Sequence, residues 1–136
     1  MLKVQATEVR TRILKVIPAT VEKMRQEGLL AQSRISNTEA ETQMKILANK
    51  LTSMDVKALE KLGLSPMQLK HTPSNQLGSI IIDAMFKMPE LLVAGSQKVS
   101  QQTAQFMEGV LTSAYQQKVI TPKQYQHYMN NVRKLK

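Results

Sequence analysis

Chemistry in this chain would have to start from two histidines, His71 and His127, since imidazole titrates near neutrality and is the commonest metal ligand. They fall in separate elements, and neither has a second His or a Cys at ligand spacing, so no metal site is expected. The chain contains no Cys, which removes thiol nucleophiles, thiolate metal sites and disulfides. A hydrolytic triad needs a nucleophile held by a base that is itself held by a third group. Ser and Asp are available, but nothing local marks an elbow or a strained turn around them. Glu39 and Glu41 occupy a first helical turn, where offsetting the helix dipole explains them without an acid–base pair. The glycines at 28, 63, 78, 95 and 109 are scattered, so no loop cradles a phosphate. Neither an enzyme nor a cofactor is expected.

Charge is the next source of function. The net charge is +9 over 136 residues, which suits nucleic acid, an anionic surface or an acidic protein partner. The excess is spread, at +3, +2 and +4 over residues 1–30, 31–70 and 71–136, as a solvated surface would have it. Toward the C-terminus it becomes one-sided: residues 91–136 carry Lys98, Lys118, Lys123, Arg133, Lys134 and Lys136 against Glu108 alone. Lys118, Lys123, Arg133 and Lys134 are the candidate phosphate contacts. Only five aromatic residues are present, none of them Trp, which weighs against single-strand binding by base stacking.

These groups need elements to position them, and the apolar spacing is helical throughout. Val9, Ile13, Val16, Ile17, Val21 and Met24 predict a first helix over 2–27, stopped by Gly28 and either kinked or divided at Pro18. Residues 29–37 read as a connector. Thr38 with Glu41 has capping-box spacing, and Ala40, Met44, Leu47 and Leu51 follow at intervals of four, three and four, the seam pattern of paired helices. Ser53 is placed as the cap of a short helix over 54–62 that ends at Gly63. Ser65 and Pro66 open another short one. The pair outlines a helix-turn-helix, with Gln68, Lys70 and His71 as its only base readers, cut short by Pro73. The clearest break lies at residues 71–74, a candidate subdivision of an otherwise single domain spanning 1–136.

The most apolar stretch follows, at 77–95. Leu77, Ile80, Ile81, Ala84, Met85 and Met88 share one face, and Ile82 and Phe86 widen it. Asp83, Lys87, Pro89 and Glu90 interrupt it, so it does not have the roughly 20 predominantly apolar residues of a membrane span. It reads as a central core helix. Pro89 is expected to restart the chain as a new helix running to about residue 118, with Val99, Thr103, Phe106, Val110 and Ala114 as its buried line. Thr121 and Pro122 then signal a terminal helix that docks through Tyr125, Tyr128 or Met129, and Val132.

The expected fold is an all-α bundle of about five to seven helices with short connections. The leading function is a non-catalytic protein-interaction module, such as a small adaptor, chaperone-like factor or inhibitor. It would bind another protein, an acidic one or a second copy of itself, through apolar helix faces carrying Met44, Leu47, Leu51, Ile82 and Phe86. The alternative is a basic nucleic-acid-binding factor, acting alone or as a dimer, that contacts phosphates through the C-terminal cations. The N-terminal residues lack the continuous apolar run of a signal peptide, so a cytoplasmic location is expected.

Overall fold

A computed structural model describes the backbone of residues 2–30, 35–54 and 56–136, and the side chains of these residues except 2–7 and 74. Within them lie seven α-helices: α1 (Leu2–Gln26), α2 (Asn37–Thr52), α3 (Val56–Lys61), α4 (Pro66–His71), α5 (Ser74–Ala94), α6 (Gln101–Gln116) and α7 (Pro122–Leu135). Of the expected connector, residues 31–34 lie outside the described residues, and so does Asp55 of the short helix that follows. The five long helices form a closed ring of neighbours. α1 packs on α2 and α5, α5 on α7, α7 on α6, and α6 returns to α2. The short α3 and α4 lean on α1. The all-α bundle is therefore as expected.

Local signals explain most of the helix ends. Gly28 takes a left-handed φ of 77°, which costs Gly little and any other residue more. This lets the Leu29 N–H reach back to the Met24 carbonyl and close α1. Ser65 Oγ accepts the Gln68 N–H, with Pro66 opening α4. Thr121 and Gln124 form a reciprocal capping box that opens α7.

Several boundaries differ from expectation. The cap of α2 is Ser36, which accepts the Glu39 N–H at 3.2 Å, so Thr38 lies inside the helix. Ser53 ends α2 instead of starting α3: its hydroxyl donates to the Lys50 carbonyl at 2.6 Å. At the start of α5, Pro73 holds the capping position with no side-chain cap bond.

The two internal prolines are both passed without a break. α1 is continuous through Pro18 and α5 through Pro89. The expected restart at Pro89 does not occur. An interior proline costs about 3 kcal/mol, but Phe86, Met88 and Leu92 are all buried around it, and that burial holds the helix together. The chain turns later instead, where Gly95 donates to the Leu91 carbonyl and Ser96 adopts a φ of 56°. Ser100 then caps α6, accepting the Thr103 N–H at 3.2 Å.

Inside the ring lies one continuous apolar cluster with Ile17, Met24, Leu47, Leu92 and Phe106 among its buried members. Of the face expected to be buried, Leu77, Ile81, Ala84, Met85 and Met88 lie in the core, with Ile81 3% exposed, whereas Ile80 is only partly buried. Buried polar groups are few. Thr103 Oγ1 donates to Gln43 Oε1 at 2.8 Å, tying α6 to α2.

Candidate nucleic-acid interface

α7 positions most of the candidate cations. Its buried side carries Tyr128, Asn131, Val132 and Leu135. At 100° per residue, the opposite arc is Lys123, Gln126, His127, Asn130, Arg133 and Lys134, and all six are exposed. α7 contains no Asp or Glu, and neither does any position from Gly109 to the C-terminus. The exposed arc thus offers only cations, amides and an imidazole. Its local carboxylates come from other helices: Glu90 of α5 lies 3.4 Å from His127, and Glu108 of α6 pairs with Lys136 at 2.8 Å. Both partners of the His127–Glu90 contact are more than half exposed, so it contributes little to stability.

Lys118, Lys123, Arg133 and Lys134 are all exposed, and among the described residues none joins an ion pair. The structure groups them in twos. Lys118 and Lys123 flank the turn between α6 and α7; Arg133 and Lys134 stand at the far end of α7. Lys123 and Lys134 lie almost on one line along the helix, about 16 Å apart by its rise. A phosphate backbone running along α7 would meet both ends. At the far end the carbonyls are already satisfied: Lys134 O accepts from Lys98 Nζ at 2.9 Å and Leu135 O from the Val99 N–H at 3.0 Å.

The α6–α7 corner adds two groups that were not among the sequence candidates. The rings of Tyr115 and Tyr125 stack with centroids 4.5 Å apart and planes inclined by 14°. Tyr125 is set from below, its hydroxyl 3.3 Å from Thr112 Oγ1. Tyr115 remains 39% exposed and Val119 beside it 49%. In the sequence Tyr125 reads only as part of a docking face. The pairing depends on the turn that folds α7 back along α6, and no spacing rule reports that.

The five residues selected for partner binding are placed differently. Met44, Leu47, Leu51, Ile82 and Phe86 are each 6% exposed or less and belong to the core cluster. The seam of α2 is covered by neighbouring helices of the same chain, α1 and α6, and Ile82 and Phe86 complete the burial of α5. None presents its side chain to a partner at the surface.

The helix-turn-helix outline exists as α3, Gly63 and α4. Gln68, Lys70 and His71 are exposed on α4, but that helix has six residues and spans only about 9 Å. Next to them Met67 is 73% exposed and borders a cleft of about 520 Å³ between α4 and α5. Among the described residues no cluster of His, Asp and Glu could hold a metal ion, and no helix is long and apolar enough to cross a membrane. Comparison with protein-family models, with curated proteins and with solved structures finds no match to this chain.

Proposed function

We propose that this chain is a non-catalytic nucleic-acid-binding factor that contacts phosphates through the exposed arc of α7 and the adjoining corner. The observation that carries this reading is the arc itself, where Lys123, Arg133 and Lys134 stand among Gln126, His127 and Asn130. Lys and Arg neutralise phosphates, and Asn, Gln and Arg are the side chains that hydrogen-bond base edges. The net charge of +9 would draw a polyanion toward the surface. The five apolar residues selected for a helix-in-groove partner, Met44, Leu47, Leu51, Ile82 and Phe86, are buried in the core.

The test is direct binding. Nuclease-treated protein is titrated into fluorescein-labelled single-stranded and duplex oligonucleotides, followed by anisotropy at low salt. Saturable binding that weakens with salt supports the reading. No binding to either probe at the lowest salt overturns it.

The protein-adaptor reading retains one observation in its favour, the exposed Met67 beside its cleft. It requires a protein that is captured from nuclease-treated lysate and lost with Met67→Asp.

A further inference from the structure

From the α6–α7 corner we infer a base-stacking site for single-stranded nucleic acid, with Tyr115 as its platform and Lys118 and Lys123 as its phosphate contacts. The inference rests on the phosphate-binding reading above and adds the class of nucleic acid. Tyr125 covers one face of the Tyr115 ring. Tyr115 still keeps 39% of its surface exposed, and the proposed site uses the ring face turned away from Tyr125. A flat ring parallel to that face would extend a stack that the protein has already begun. Every nucleobase offers such a ring, so stacking of this kind is tolerant of sequence.

The surroundings fit an unpaired nucleotide better than an apolar peptide. Lys118 follows Tyr115 by one turn, and its backbone N–H donates to the Tyr115 carbonyl at 3.1 Å. Its φ of 63° is a conformation that a non-Gly residue seldom takes. Lys123, in the first turn of α7 and two residues before Tyr125, is the second exposed cation of this corner. The corner's own residues, 112–125, include no carboxylate. The end of α1 comes close, since a Cβ on Gly28 would lie 2.7 Å from Gln117 Nε2, and it brings Glu27 as a flanking acid. In a duplex the bases are stacked on one another and withheld from such a platform, whereas a single strand can splay one out.

The deciding experiment compares the parent, Tyr115→Ala, Tyr115→Trp and a Lys118→Gln/Lys123→Gln variant. The probes are labelled oligothymidylate and its duplex with oligoadenylate, each titrated at several salt concentrations. Loss of the platform should weaken oligothymidylate binding roughly five- to hundredfold with the salt slope unchanged, and leave the duplex almost unaffected. Tyr115→Trp should bind at least as well as the parent. The lysine variant should shift the single-strand slope by about 1.4, at about 0.7 per lost contact. Tyr115→Leu replaces the alanine variant if circular dichroism shows that alanine loosens the fold, since it keeps apolar bulk without a π face. If neither Tyr115→Ala nor Tyr115→Leu alters oligothymidylate binding while the parent binds both probes, the stacking site is refuted and the phosphate reading survives. If the parent binds neither probe, both fail.

Discussion

Neutralising the ends of α7 tests the phosphate reading most severely. The perturbation is Lys123→Gln, Arg133→Gln and Lys134→Gln together. All three side chains are exposed, so the core is untouched, although losing cations from the last turn costs helix stability of about 0.3–1 kcal/mol each. The fold is therefore checked by circular dichroism well below the melting temperature. If Lys118, Lys123, Arg133 and Lys134 each meet a phosphate, log affinity for a single strand falls with log salt at a slope of about −2.8. Between 50 and 200 mM salt the parent then loses affinity by roughly 50-fold. With one contact left the slope becomes about −0.7, and the same change in salt costs only about threefold. Anisotropy titrations at four or more salt concentrations measure both slopes. A parent slope near −2.8 that is retained by the triple variant would refute the placement of the interface on α7, because the contacts would then have to lie elsewhere.

The remaining predictions concern the fold that carries this surface. Ile81→Asp should abolish cooperative thermal melting, because it places a charge in the core, where Ile81 is 3% exposed; a folded, helical variant would contradict the packing around α5. Gly28→Ala should destabilise by about 1–2 kcal/mol, the cost of a left-handed conformation in an L-residue, and Gly63→Ala by a similar amount, since Gly63 has a φ of 76° with open space around it. Denaturant midpoints will show whether the Gln117 contact adds to the Gly28 penalty, in which case Gln117→Ala should remove the excess. The Tyr128 hydroxyl is held above its ordinary range by burial, and further by Glu90 and Asp83. The folded state then favours the protonated form, so this stabilisation is complete below about pH 10 and is lost as pH rises through the higher folded value. Tyr128→Phe should flatten that part of the alkaline melting curve.

How much could be read in advance differs from residue to residue. The ends of α1, α4 and α7 were legible because Gly28, Ser65 with Pro66, and Thr121 with Pro122 act within one turn of themselves. Pro89 misled because the same residue that opens a helix on an exposed surface can be carried inside one when burial on both sides compensates, and Phe86 and Leu92 supply that burial. Ser36 and Thr38 are both acceptable caps; which one serves depends on where the incoming chain meets α2. The stripe of Met44, Leu47 and Leu51 was correctly apolar, but a stripe does not state whose helix covers it. The four C-terminal cations were legible as a group, though their division between the two ends of α7 was not. Tyr115 escaped notice because its partner Tyr125 lies across a turn.

The sequence by itself determined that the chain is helical, where most helices stop, that no thiol chemistry is available, and that its last 28 positions contain no carboxylate side chain. These follow from composition and from interactions that span a single turn. Only the tertiary structure decided that the apolar seams close on one another, that α5 runs through Pro89, and that Tyr115 stacks on Tyr125. Each of these depends on which helices become neighbours, a matter of burial summed over side chains far apart in the chain, and no local pattern encodes that sum.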